Sequence, residues 1–399
     1  MSFNPNFRDL QAYPFSKLKT LNEGIVGNPN LTHIPLTLGE PKHTPPQFVI
    51  DALANRAQLP QFLSSYPLTK GSDGLRQAIA QWLQKRFAVA VSSEHEILPV
   101  NGTREALFSF AQAMLSGIPG SRVIMPNPFY QIYEGAALLA GAQPLLVDQD
   151  PDNAYRQDFS HIDAATWRNV ELVYICSPGN PTGQIMSTTQ QQALIELAHK
   201  YDFYIAADEC YSELYYDNKP VSLLAASAAM GNPNYARCVV FHSLSKRSNL
   251  PGLRSGFVAG DAQLLGTYLQ YRTYHGCALS PHHQFASALA WQDEQHVIEN
   301  RAMYQAKFAA VTPILAPHYA LQQPHGGFYH WLPTPMDEQA FSQQLLEQFN
   351  VSVLPGTFLG RNGIRGNPGH KHVRIAWVAP IEDCLEAASR LAEFAIKHF

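Results

Sequence analysis

Charge is scarce in this chain. Only 15% of its 399 residues are Asp, Glu, Lys or Arg, and 28 basic side chains nearly balance 32 acidic ones. With no basic block, nothing marks a nucleic-acid-binding surface. Cysteine is scarce as well: Cys176, Cys210, Cys238, Cys277 and Cys384 are odd in number and never form a CxxC pair. That pattern argues against a disulfide scaffold or a zinc site, and for a reducing, cytoplasmic setting. No run of about 18 apolar residues occurs, so no membrane-spanning helix is expected. The opening stretch MSFNPNFRDLQAYPF lacks both a basic start and an apolar centre, so no signal peptide is expected. Sixteen histidines are present, with His282-His283 and His370-Lys371-His372 as the pairs nearest to metal spacing. No HExxH accompanies them, and no metal is expected.

What the chain does have is apolar content, 46% of its residues. This is enough for a large core and excludes global disorder. At about 150 residues per domain the length implies two or three lobes. Residues 1–45, rich in Pro and Asn, read as an extended arm that contributes to a small domain; Phe3, Phe7, Leu10 and Phe15 would lie on another surface. Periodicity predicts a helix over 73–87, with Ser72 or Asp73 as cap and Leu75, Ile79, Trp82, Leu83 and Phe87 on one face. A second is expected over 103–116, with Leu107, Phe110, Met114 and Leu115 inward and Gly117 as the stop. Short apolar runs at 122–125, 145–147, 172–176, 203–207, 238–241 and 257–259 read as buried strands of a mostly parallel sheet. Beyond Pro281 the pattern changes. A helical stretch over 282–315 precedes strand-like runs near 326–331, 351–354 and 373–378 and a final helix over 381–399. The expected organisation is an arm (1–45), a large α/β domain (46–280) and a smaller α/β domain (281–399).

In doubly wound sheets ligands bind beyond the carboxyl ends of the strands. The residues just after the apolar runs are Ser177-Pro178-Gly179-Asn180-Pro181-Thr182-Gly183, then Asp208-Glu209-Cys210-Tyr211, then Ser243-Leu244-Ser245-Lys246 and Pro251-Gly252-Leu253-Arg254-Ser255-Gly256. Asn101-Gly102-Thr103-Arg104 stands before a helix. Taken singly, each has an ordinary reading as a turn, a cap or a solvated charge. Together they offer an amide, a carboxylate, a phenol, a lysine and an arginine to one edge. Pyridoxal phosphate uses all five: a lysine for its aldehyde, a carboxylate for its pyridine nitrogen, donors for its ring oxygen and an anion site for its phosphate. A helix N-terminus after a Gly-Thr turn suits that phosphate.

SPGNPTG, DECY, SLSK and PGLRSG, in this order, resemble the class I aminotransferases among fold-type I pyridoxal-phosphate enzymes, and the likeness runs from Gly39 to Arg374. The resemblance implies a large domain built on a mostly parallel, seven-stranded type of sheet flanked by helices, plus a smaller α/β domain. It implies that Lys246 carries the covalent bond to the cofactor, that Asp208 pairs with the ring nitrogen, and that Asn180 and Tyr211 bond the ring oxygen. Gly102, Thr103, Arg104, Ser243, Ser245 and Arg254 would hold the cofactor around its phosphate, with Tyr66 added from a second subunit. Tyr130 stands where relatives stack an aromatic ring on the pyridine. Arg374 and Gly39, with Asn180, would meet the substrate carboxylate. Catalysis would rest on Lys246, Asp208 and Tyr211, in a homodimer acting on amino acids and keto acids.

The run SLSKRSNLPGLRSGFVAGD is similar to the N-succinyldiaminopimelate aminotransferase branch, which serves bacterial lysine biosynthesis. That implies glutamate as amino donor and N-succinyl-2-amino-6-oxopimelate as acceptor, with Arg104, Arg247 and Lys70 as candidates for the distal carboxylates. Alternatives are a broad aspartate or aromatic aminotransferase and a C–S β-lyase. A cofactor-sensing transcription regulator would need a winged helix before Gly39, where the residues are too few and too Pro-rich.

Overall fold

The computed structural model describes residues 4–149 and 151–399; Phe3, expected on the arm, lies outside them. Among the described residues twelve strands form, in chain order β1 (Ile34–Pro35), β2 (Ile97–Val100), β3 (Arg122–Asn127), β4 (Gln143–Asp148), β5 (Val170–Cys176), β6 (Tyr204–Asp208), β7 (Cys238–Ser243), β8 (Gly256–Gly260), β9 (Tyr329–Pro333), β10 (Val351–Ser352), β11 (Leu354–Pro355) and β12 (His372–Ala376). Seven of them make one sheet in the order β2-β8-β7-β6-β5-β3-β4. Only β8 runs against its neighbours; the rest are parallel. The six apolar runs all become strands of this sheet. The seventh, β2, escapes the pattern because Ile97-Leu98-Pro99-Val100 carries a proline. It sits at an edge, where a missing N–H leaves no ladder bond broken on the open side.

Apolar side chains pack on both faces of the sheet, as continuous apolar strands require. One face gathers Leu75, Ile79, Trp82, Val173, Ile205, Phe257 and Trp291; the other gathers Leu107, Phe110, Met125, Leu172, Phe241 and Tyr268. Each fully buried side chain of this size contributes about 1.5–3 kcal/mol by leaving water. The helix Asp73–Phe87 starts at Ser72, whose hydroxyl accepts the Leu75 N–H at 3.4 Å. The helix Thr103–Met114 stops three residues before Gly117, with Leu115 already extended; Met114 and Leu115 are only partly buried.

The expected long helix over 282–315 is two helices, Pro281–Gln292 and Gln295–Leu315. Asp293 turns extended between them, and its carboxylate accepts the His296 N–H at 3.1 Å, restarting the helix. Beyond it β9, β12 and β11 form an antiparallel sheet. The single strand expected over 351–354 is two short ones that change partner around Val353: β10 pairs with β1, β11 with β12. Ile34 and Leu36 thereby enter a core with Phe308, Leu332, Phe341, Val373, Trp377 and Leu391. The arm is also less extended than its prolines imply. It holds a 3-10 turn (Pro5–Asp9) and a helix (Pro14–Leu21), each started by a proline at its first turn, where a missing N–H is harmless. Leu18 packs with Trp331, Leu354 and Phe358.

Phe110 is fully buried edge-on to Phe241 and Tyr268, with ring centroids 5.6 and 5.4 Å away. Phe110→Ala is expected to destabilise the protein by about 3–5 kcal/mol. A denaturant titration that places the variant within 1 kcal/mol of wild type, roughly the spread of a surface change, would contradict this packing.

Candidate active site

The carboxyl ends of β5, β6 and β7, the start of the helix Thr103–Met114, the arm and β12 converge on one cavity of about 600 Å³. Its walls include Gly39, Thr103, Arg104, Tyr130, Asn180, Asp208, Tyr211, Ser243, Ser245, Lys246, Arg254 and Arg374. Twelve of the fourteen residues that the resemblance assigns to catalysis, the cofactor or the substrate α-carboxylate thus line a single space. Gly102 lies directly behind the wall. Its φ of 85° is a left-handed value, and a side chain there would run into the Arg254 guanidinium. Tyr66 is the exception: it is 99% exposed and outside the cavity of its own chain.

Lys246 follows directly on the end of β7, in the short helix Leu244–Arg247. Its Nζ donates to the Gly39 carbonyl at 2.6 Å and lies 5.3 Å from the Phe328 ring centroid. Burial pulls its pKa down from 10.5 to about 8; Cys210 works against that fall and Arg374 adds to it. With that value about a tenth of the amine is neutral at pH 7, several-hundredfold more than at the ordinary pKa, which favours a nucleophile and proton carrier.

Asp208 ends β6. Its Oδ1 accepts the Cys210 N–H at 3.2 Å and its Oδ2 accepts the Tyr133 hydroxyl at 2.7 Å. Tyr133 is itself fixed by stacking on Tyr174, 4.7 Å and 11° between the rings. Arg374, on β12, donates through Nη1 to Asn180 Oδ1 at 3.0 Å and through Nη2 to the Thr37 carbonyl at 2.8 Å. Its Nε is buried without a hydrogen-bond partner among the described residues. At the rim, exposed Arg104 donates to the hydroxyls of Tyr130 (2.7 Å) and Tyr13 (3.2 Å). The arm therefore supplies part of the mouth, with Tyr13, Pro14 and Phe15 on the wall.

These donors suit a phosphorylated pyridine aldehyde. The N-terminus at Thr103, the hydroxyls of Ser243 and Ser245 and the Arg254 guanidinium make an anion cradle that a side chain at Gly102 would fill. The amine, carboxylate and phenol of Lys246, Asp208 and Tyr211 share the same cavity. Three residues were missed from the sequence: Tyr133, Tyr329 and Tyr13. Each stands outside the motifs that follow the strands, with nothing in the sequence to mark its hydroxyl as directed.

Two cations expected at the mouth lie elsewhere. Arg247 is buried between Trp82 and Trp291, 5.6 and 5.0 Å from their centroids, and bonds Glu294 at 2.5 Å and the Ala290 carbonyl at 2.6 Å. Lys70 pairs with Glu94. His242, unassigned from the sequence, is buried with Nε2 3.0 Å from Glu209. Asp337, Glu338 and His370 come close enough to share an ion. Glu338, though, already accepts from the Thr357 hydroxyl (2.6 Å) and the Lys371 N–H (2.9 Å).

Residues 32–391 match the family described as aminotransferase class I and II. An aminotransferase of known crystal structure from Neisseria meningitidis Z2491 superposes with a TM-score of 0.93 at 45% identity, covering 98% of this chain and all of the other. The 4-dedimethylamino-4-oxo-anhydrotetracycline transaminase OxyQ of Streptomyces rimosus is 32% identical over 96% of this chain and 99% of its own length. An LL-diaminopimelate aminotransferase from Desulforudis audaxviator is 28% identical, over 96% of this chain and 95% of its own.

Because only the neutral amine attacks an aldehyde, the lowered Lys246 pKa has a kinetic signature. Mixing cofactor-free protein with pyridoxal phosphate is expected to raise near-visible absorbance at a rate that climbs about tenfold per pH unit well below the midpoint. The rate should bend near pH 8 and level off above it. A rate independent of pH across that range would show that the amine is not held as described.

Proposed function

The chain belongs to the class I and II aminotransferases, a family that depends on pyridoxal phosphate, and within it we propose that this protein is a succinyldiaminopimelate transaminase. It would pass the amino group of glutamate to N-succinyl-2-amino-6-oxopimelate, yielding N-succinyl-LL-2,6-diaminopimelate and 2-oxoglutarate, in cytoplasmic lysine biosynthesis. The observation that carries this reading is a wide cavity with one guanidinium deep inside, Arg374, and another at its rim, Arg104. Separate cations at the two ends suit a long acceptor with distal carboxylates better than a compact one. The name of the Desulforudis audaxviator relative adds support, since its substrate shares the diaminopimelate skeleton. The aromatic rim of Tyr13, Phe15 and Tyr130 favours a second reading, a broad aspartate or aromatic aminotransferase.

When bound, pyridoxal phosphate supplies an aldehyde that takes up and returns amino groups and a ring that draws electrons from the substrate carbon. Lys246 would hold the cofactor between turnovers. Once displaced, its Nζ would take the proton from the substrate Cα and deliver it on the other side of the transfer. Asp208, fixed by the Tyr133 hydroxyl, would keep the ring nitrogen protonated by favouring its charged form. Tyr211 and Asn180 would donate to the ring oxygen, and Tyr130 would cover the ring face. Gly102, Thr103, Ser243, Ser245 and Arg254 would bind the phosphate, with Arg104 beside them. Arg374, whose Nε has no partner among the described residues, would grip the α-carboxylate beside Gly39. Exposed Tyr66 would reach the phosphate of a second copy, so the active unit would be a homodimer.

Lys246→Ala is expected to abolish both turnover and the pH-dependent near-visible band of the lysine-linked cofactor, leaving at most the absorbance of the free aldehyde. With glutamate as donor, wild type should act on the succinylated oxopimelate far faster than on oxaloacetate or phenylpyruvate. Equal rates on all three would replace the proposal with the broad aminotransferase; pyruvate and ammonia released from a sulfur amino acid would indicate a lyase.

A further inference from the structure

Tyr329 has no part in the transfer as described, yet it touches three separate pieces of the site. It opens β9 and is 2% exposed. Its hydroxyl oxygen is 3.0 Å from that of Tyr211. Its ring lies under the Arg374 guanidinium, 4.4 Å from Cζ. On the arm side, any side chain at position 39 would run into the Tyr329 hydroxyl. Gly39 is therefore needed for the phenol to sit where it does, and the Gly39 carbonyl is the acceptor for Lys246.

Counting protons gives the hydroxyl pair a direction. Each phenol has one proton to donate, and burial pushes both groups up, so both keep it. In the pair alone either oxygen could be the donor. If Tyr211 spends its proton on the ring oxygen of the cofactor, the bond between the two phenols must use the proton of Tyr329. A hydroxyl that accepts one hydrogen bond is polarised into a better donor for the next.

We propose that Tyr329 is a positioning residue with two separable parts: its hydroxyl donates to Tyr211 and so commits the Tyr211 proton to the cofactor's ring oxygen, while its ring face holds Arg374 in place for a carboxylate. This rests on the roles of Tyr211 and Arg374 proposed above. Without the hydroxyl, Tyr211 becomes a weaker donor and stabilises negative charge on the ring oxygen less well. The proton shared between that oxygen and the Lys246-linked nitrogen then persists to higher pH.

Two variants of the holoenzyme separate the parts. In Tyr329→Phe the pH midpoint of the near-visible absorbance is expected to rise by roughly half to one unit, the scale of one net hydrogen bond. Its affinity for succinate, an unreactive dicarboxylate titrated through the same absorbance, should stay within about twofold because the ring remains. In Tyr329→Leu succinate binding should weaken roughly three- to tenfold; Tyr329→Met serves if that variant does not fold. An unchanged or lowered midpoint in Tyr329→Phe overturns the hydroxyl's role. Succinate binding that is lost equally in both variants, or in neither, overturns the role of the ring. Wild-type protein that gains no absorbance with pyridoxal phosphate would instead overturn the function on which both depend.

Discussion

An amine that must react as a neutral nucleophile cannot stay in bulk water, where it would be charged almost all the time. Lys246 escapes this by leaving water, and the surrounding site has to make that burial tolerable. Its one strong partner is a backbone carbonyl, that of Gly39, which accepts a proton without adding a full charge. A carboxylate in the same place would favour the ammonium and take away the depressed pKa. Arg374 works in the other direction, helping to lower it. The site thus sets Arg374 against Cys210, Glu40 and Asp208, leaves burial to decide the balance, and meets the amine itself with a dipole. Supplying that carbonyl requires the arm to cross the cavity, and the arm can come so close only because residue 39 has no side chain.

Much of this was legible in the chain. The six apolar runs are short, buried on both sides and separated by helices, so their strand character survives folding unchanged. The chemistry falls directly after them, which is why SPGNPTG, DECY and SLSK mark the cavity wall so well. Other features depend on contacts far apart in sequence and left no local trace. Tyr133 looks like one more aromatic residue on a helix until Asp208 is placed 2.7 Å away. The break at Asp293 was hidden because its neighbours on both sides are good helix formers, and the carboxylate that restarts the helix has an unremarkable sequence setting. The proline of β2 hid a strand for the opposite reason, since local preference argued against a structure that an edge position permits.

The run that most narrowed the substrate class behaves differently in three dimensions. Arg247 is sealed between two tryptophans. Ser248 bonds His296 at 2.8 Å, and Asn249 donates to Asn300 at 2.7 Å. Asn300 in turn donates to the carbonyls of Lys246 and Arg247 at 3.1 and 3.2 Å. These residues brace the peptide that carries Lys246 against the helix Gln295–Leu315. A sequence likeness there reports how a lineage supports its lysine, whereas under the proposed function acceptor choice would be made at the rim, where Arg104, Tyr130 and the arm line the cavity.

The pairing of β1 with β10 joins Ile34 to Val351, near opposite ends of the chain. During synthesis the large sheet has all its strands once Gly260 has emerged, and it can begin to gather its core while later residues are still being added. The arm has no such option. Ile34 and Leu36 must wait for their core until residues from Phe308 onward arrive, and for their strand partner until Val351. Because Gly39 lies on that same segment and Arg374 emerges later still, the nascent chain cannot complete the surroundings of Lys246 early. Connectivity alone leaves that cavity to be finished last.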